Sequence, residues 1–400
     1  MTLDRSTLHR TLKLELDEGR AASIEEALEL SQGHVLQLVL GRDVCASRTR
    51  EAMALTAINA AGRAFIGGVR VLVCQDGPCA TAWGEGMSLS QAAARYGATL
   101  VEEINAQFPL LVIGDAEFDR PAIWCSWDGW RGAVTPERAQ RLPERREHPL
   151  AGALAGALGV SEAFQSLRGY LPAGRREIGL SLWRPGSDWR SAEDEPERFY
   201  LARDLWLLGL GHLGQAYAWT AALAPYPRDQ RPRLLLQDFD VVDDANESTS
   251  MLLDSGQRGE RKTRAAAARL EQIGIATTIC ERAFDEHVRR ADGEPAIALA
   301  GFDKPEPRRH LEGSGYELVV DAGLGAGPRD YLEMLLHSFP NGSLTANETF
   351  ARARREQAPQ LAEAYEVEIS RRAQSGEQSE GEARCGMLEV AGATVAAVFV

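Results

Sequence analysis

The 400-residue chain contains no C-x-x-C pair: Cys45, Cys74, Cys79, Cys125, Cys280 and Cys385 are scattered along it. That scatter excludes a disulfide framework and a cysteine zinc site, so any cysteine that acts does so singly, as a thiol. No apolar run reaches the roughly 18 residues that a membrane span requires. The opening MTLDRSTLHRTLKLELDEGR is charged throughout and lacks the apolar centre of a secretory leader. The expectation is a cytoplasmic protein with no membrane partner. Basic runs with interleaved aromatics are also missing and the formal net charge is −14, so nucleic acid is not an expected partner either.

What is present is an ordinary globular balance, 44% apolar and 26% charged residues, in a chain long enough for two domains. VLQLVLG (35–41), VRVLVC (69–74) and PLLVIGD (109–115) have the apolar density of buried strands. REAMALTAINAAGRAF (50–65), a stretch over 89–107 and HPLAGALAGALGVSEAFQ (148–165) have helical spacing. A Trp-rich piece, IWCSWDGW, lies at 123–130. Strands alternating with helices predict a mostly parallel sheet covered on its faces. The aperiodic, Pro- and Gly-bearing stretch 181–199 marks the junction, predicting domains over 1–185 and 200–400. Beyond it the alternation resumes, with strands at 205–211, 233–242, 296–303 and 316–325 and helices at 216–224, 262–274 and around 347–373.

The strand LWLL runs directly into Gly209-Leu210-Gly211-His212-Leu213-Gly214 and then a helix. Strand, glycine loop and helix in that order form a phosphate cradle: the glycines allow close backbone approach and the helix start offers free N–H groups. The loop works through its backbone, so His212 is read as a packing or solvent residue. Asp238 ends the next strand, where a carboxylate can bond ribose hydroxyls; at this point NAD and ATP fit equally well.

The segments LLGLGHLG and LLLQDFDVVDDAN, followed by Lys262 opening a helix, resemble the ThiF, MoeB, HesA and ubiquitin-activating enzyme superfamily. The resemblance implies a Rossmann-like adenylation domain that binds ATP with magnesium. Gly209, Gly211 and Gly214 would form the phosphate loop, and the Asp238-x-Asp240 pair the ribose corner. Asn246 and Lys262 would face the phosphates, with Lys262 catalytic. AIALAGFDKPEPRRHL supplies the family's following strand, its metal-bearing Asp303, and Arg308 in the next helix. Lysine and a metal ion neutralising a departing pyrophosphate is adenylation chemistry, for which a dehydrogenase has no use.

One position departs from the family pattern. Where an Arg usually follows the Asn, this chain reads Glu247-Ser248-Thr249-Ser250. Arg258, Arg261 or an arginine from the first half, Arg48 or Arg50, are the candidate replacements.

Cys385, in a segment near 345–390, resembles the family cysteine that takes the activated carboxylate as a thioester, with Cys45 in reserve. Cys74, Cys125 and Cys280 are read as core. The first half keeps the strand and helix order, but GRDVCASR (41–48) replaces the glycine triplet. It thus resembles the inactive adenylation-like half of ubiquitin-activating enzymes, giving a pseudo-dimer within one chain, or a homodimer.

The whole is most similar to the BilD-type activating enzymes of bacterial ubiquitin-like conjugation operons, including those of antiviral defence. The partners this implies are a ubiquitin-like protein with a C-terminal Gly and a conjugating enzyme. The competing readings are a ThiF/MoeB-like sulfur-carrier adenylyltransferase, an NAD(P)-dependent oxidoreductase, and a non-enzymatic scaffold with a decayed site.

Overall fold

The computed structural model describes residues 9–191, 195–197, 201–324, 334–340 and 344–352. Two helices come first, α1 (Arg10–Asp17) and α2 (Ile24–Gln32). Then follow β1 (Leu36–Leu40), α3 (Arg48–Ala64), β2 (Val69–Val73), α4 (Leu89–Arg95), β3 (Ala98–Leu100) and β4 (Leu110–Ile113). A hairpin, β5 (Ile123–Asp128) and β6 (Arg131–Thr135), leads to α5 (Pro149–Leu167) and β7 (Ile178–Ser181). The later part runs β8 (Asp204–Leu208), α6 (His212–Leu223), β9 (Arg233–Gln237), α7 (Lys262–Gln272), β10 (Ala276–Cys280) and β11 (Ile297–Ala300). It continues through α8 (Pro305–Arg308), β12 (Leu318–Leu324), β13 (Met334–Phe339) and α9 (Ala346–Arg352).

These elements form two compact units. One holds residues 31–201 and 220–226; the other holds the remaining described residues, including 9–30. The early helices sit in the second unit, where the Arg10 N–H donates to Ser248 Oγ at 3.3 Å.

The sheet of the first unit has the order β3-β2-β1-β4-β5-β6-β7. β1 to β5 are parallel, and β6 and β7 return antiparallel. The second sheet, β10-β9-β8-β11-β12-β13, repeats that plan with only β13 antiparallel. Each strand order reverses once, between β1 and β4 and between β8 and β11. Those two crevices are where doubly wound sheets bind ligands.

The expected long helix over 89–107 is two elements. Gly97, at φ +91°, ends α4 and the chain enters β3. The Trp-rich piece is the hairpin β5–β6, turning at Gly129 with φ +61°. α5 is buried along almost its whole length, which explains a helix built of Ala, Gly and Leu with no polar face.

At the start of α5, His148 Nδ1 accepts the Ala151 N–H at 3.4 Å, and its ring lies 4.5 Å from that of Trp130. Burial pushes its pKa down to about 4. Because the unfolded chain takes up that proton first, the neutral ring contributes stability above about pH 6.5 that is lost as pH falls towards 4. The contribution is on the order of 3 kcal/mol. Urea denaturation from pH 7 to pH 4 should show this loss in the native protein and not in His148→Asn, which keeps a capping oxygen. Equal slopes would mean that another group carries the acid sensitivity.

Candidate functional site

The loop after β8 turns at Gly209, whose φ of +82° is a left-handed conformation that glycine adopts without strain. Its N–H donates to the Gln237 carbonyl at 2.9 Å, joining the loop to β9. α6 begins at His212, so the N–H groups of its first turn flank the glycines.

Asp238 follows β9 and is 8% exposed. One carboxylate oxygen accepts the Leu210 N–H at 2.6 Å and the other the Asp240 N–H at 2.8 Å. The side chain thus shapes both loops, and each oxygen retains a lone pair for a ribose hydroxyl. Asp240 Oδ2 lies 3.0 Å from Lys262 Nζ. The Lys262 backbone N–H also bonds the Asp240 carbonyl at 3.1 Å, fixing the start of α7 against the end of β9. The lysine side chain is only 10% exposed, whereas that of Asp240 is 49% exposed. A phosphate reaching Lys262 therefore meets an ammonium whose present partner can return to water.

Asn246 stands in a short 3₁₀ turn, Asp244–Ser248. Its side-chain oxygen accepts the Asp243 N–H at 2.8 Å, and Asp243 Oδ1 accepts the Asn246 N–H at 3.1 Å. Asn246 shapes its own turn through this reciprocal pair. The turn is joined to the glycine loop by two residues of α6. The His212 ring bonds the Thr249 carbonyl. Gln215, fully buried, donates to the Leu210 carbonyl at 3.0 Å and to Ser250 Oγ at 2.9 Å, and accepts from the Leu252 N–H at 2.9 Å. Gln215 escapes a sequence reading; its signal is a polar side chain on the inner face of an otherwise apolar helix.

Asp303 follows β11, whose Ala300 is the register partner of Leu208 in β8. The carboxylate and the glycine loop thus leave the sheet from adjacent strands, and Asp303 is exposed. Among the described residues no cluster of three or more His, Cys, Asp or Glu side chains could hold a metal ion.

Of the candidates for the absent arginine, Arg261 donates to the Phe239 carbonyl and Arg258 is exposed. In the first unit Arg48 is exposed, while Arg50 is held by Glu144 at 2.7 Å and Asp43 at 3.2 Å. Cys385 lies outside the described residues. Cys125 is buried, as expected, whereas Cys280 is half-buried and Cys74 is exposed. Cys74 follows the last residue of β2, so it escapes the core that the strand pattern suggested. The Cys45 thiol is pushed up by burial and then by Glu51 and Asp76, the wrong direction for a nucleophile.

At the corresponding position of the first unit, carboxylates of the chain itself bond the loop and helix start. The Glu147 carboxylate sits at the start of α3, accepting the Thr49 N–H at 3.0 Å, the Thr49 hydroxyl at 2.5 Å and the Ser47 hydroxyl at 2.6 Å. Asp43 Oδ1 accepts the Asp115 N–H at 2.6 Å. Carboxylates therefore stand where a phosphate would need N–H groups.

Comparison with known proteins agrees with the two-part plan. Residues 35–182 match the model of the BilD N-terminal domain and residues 201–400 that of the BilD C-terminal domain. The chain is 37% identical over 406 residues to the bacterial E1-like protein BilD of Collimonas sp. (strain OK412), covering 100% of this chain and 86% of that protein. Among solved structures, E. coli tRNA N6-threonylcarbamoyladenosine dehydratase, TcdA, is 18% identical with a TM-score of 0.26, covering 32% of this chain and 53% of that one. The same enzyme in complex with ATP gives 18% identity and a TM-score of 0.24 over 28% of this chain and 45% of that one. Likeness at that level adds nothing to what the sheet topology already establishes.

Proposed function

Since the chain belongs to the BilD family of bacterial E1-like proteins, we propose that it activates the C-terminal carboxylate of a ubiquitin-like protein with ATP. The observation that carries this reading is the set of groups around one strand-order reversal: the glycine loop, Asp238 bonded to it, and Lys262 held by Asp240. A nicotinamide oxidoreductase would use the glycines and Asp238 but has no work for Lys262 or Asp303.

In the proposed reaction, Gly209, Gly211 and Gly214 with the first turn of α6 cradle the phosphates, and Asp238 takes the ribose. Lys262 neutralises charge on the departing pyrophosphate. Magnesium, when bound, would supply further charge neutralisation, with Asp303 as its protein ligand. A carboxylate oxygen of the partner's C-terminal Gly bonds to the α-phosphorus as pyrophosphate leaves. The Cys385 sulfur, as thiolate, then attacks the acyl carbonyl, and AMP leaves as the thioester forms. A conjugating enzyme is the expected acceptor. The first unit is read as the nucleotide-free half of a pseudo-dimer, and the protein as cytoplasmic. Among the described residues no helix is long and apolar enough to cross a membrane.

Calorimetric titration of the full chain tests the first step. ATP with magnesium should bind at one site per chain, more weakly in Asp303→Ala, and NADH should give no signal. NADH binding indifferent to Asp303→Ala would instead establish an oxidoreductase. With a ubiquitin-like partner and ATP, a thiol-sensitive adduct should form and vanish in Cys385→Ala.

A further inference from the structure

Behind the candidate metal-bearing loop lies a charged cluster to which the reaction above gives no work. Asp321, in the middle of β12, is fully buried. Its Oδ1 is 3.3 Å from Arg308 Nε, and its Oδ2 is 3.5 Å from His337 Nδ1 on β13. Another nitrogen of the same guanidinium, Nη2, donates to the carbonyl of Phe302, the residue immediately before Asp303. Two further features hold the guanidinium in place. Its carbon lies 5.6 Å from the ring centroid of Phe350. A side chain at Gly323 would come within 3.1 Å of Nη1, so glycine there leaves the room that the guanidinium occupies.

A buried carboxylate is costly unless it is paired, and Arg308 is the side chain that both pairs it and reaches the loop. Arginine's planar guanidinium can meet a carboxylate with one nitrogen and a carbonyl with another in a fixed geometry; a lysine ammonium has no such rigid span.

We propose that Asp321 is a positioning residue for Asp303. By orienting Arg308 it fixes the Phe302 carbonyl, and with it the direction in which the next residue presents its carboxylate to a magnesium nucleotide. This rests on the reading of Asp303 given above. Residues that orient a metal ligand through a hydrogen bond typically change metal affinity by 10–100-fold when replaced.

The test is ATP affinity measured by calorimetry with excess magnesium and again with chelator, alongside the thermal midpoint of each variant. In the native chain magnesium should tighten ATP binding, and Asp303→Ala should abolish that gain. Asp321→Asn, which removes the charge at nearly constant volume, should lose about tenfold or more of the magnesium gain while keeping its metal-free ATP affinity. Arg308→Lys should do the same and serves if Asp321→Asn does not fold. His337→Gln should keep the gain, because His337 touches Asp321 but not the loop.

An undiminished magnesium gain in folded Asp321→Asn, or in Arg308→Lys should Asp321→Asn not fold, would overturn the proposal. So would equal weakening with and without magnesium, which marks a merely structural role. A native chain without any magnesium gain, or an Asp303→Ala variant that retains it, removes the reading of Asp303 and this inference with it.

Discussion

Gly214→Ala should nearly abolish ATP binding and lower the thermal midpoint of the second unit by roughly 5–10 °C, the equivalent of ~2–3 kcal/mol. A methyl group on Gly214 would collide with the carbonyl oxygen of Gly209, a backbone atom. That carbonyl cannot swing aside like the end of a flexible side chain, because the Gly209 N–H is bonded to β9 and the Asp238 carboxylate holds the next residue, Leu210. The backbones also approach closely on the β11 side, where a side chain on Gly301 would come within 2.8 Å of the Gly214 nitrogen. The first turn of α6 must therefore lift, taking its N–H groups away from the phosphates. A displacement near 1 Å is worth about a hundredfold in a positioned site. Gly211→Ala is the control: nothing lies within 4 Å of a methyl there, so the thermal midpoint should be unchanged. If Gly214→Ala melts and binds ATP like the native chain, the loop is not the rigid cradle described.

Lys262→Ala should cost roughly 10²–10³-fold in adenylation, the usual effect of removing one preorganised charge from a transition state. Stability should change little. Half of the Asp240 side chain already faces water, so that carboxylate can be hydrated when its partner is removed. The separation of the two effects identifies the role: a lysine that merely anchors the start of α7 would lose stability and leave ATP turnover intact. ATP–pyrophosphate exchange with a ubiquitin-like partner measures the first quantity and thermal unfolding the second. Lys262→Arg should recover part of the rate, since it restores charge with a different fork geometry. Exchange within threefold of native in Lys262→Ala would reduce Lys262 to a structural residue and leave the phosphates to another cation.

Much of this architecture is legible in the order of residues alone, for a physical reason. Strands buried on both faces are mostly apolar, so β1, β4, β8 and β9 stand out as near-continuous runs. Edge strands carry no such burden. β10, Ala-Thr-Thr-Ile-Cys, has one neighbour and is largely exposed, and β13 is an antiparallel edge; neither announces itself. The candidate residues around the glycine loop are legible because a nucleotide site of the proposed kind needs particular types at particular strand ends. Gln215 and Asp321 are not, because each acts through groups distant in sequence and leaves only the mark of a polar residue in an apolar setting. For Asp321 that mark is visible in the strand Leu-Val-Val-Asp-Ala-Gly-Leu. Burial pushes its pKa up to about 6, against the pull of Arg308 and His337.

If the second unit binds nucleotide as proposed, the carboxylate of Glu147 at the start of α3 gives the two units different dependences on it. It is an anion carried on the same chain as the helix it satisfies, so its effective concentration is fixed by geometry. On the proposed reading the second unit takes its anion from solution, so its stability should rise with the logarithm of nucleotide concentration above the dissociation constant. One half of the polypeptide is therefore expected to be indifferent to nucleotide concentration, and the other to rise and fall with it.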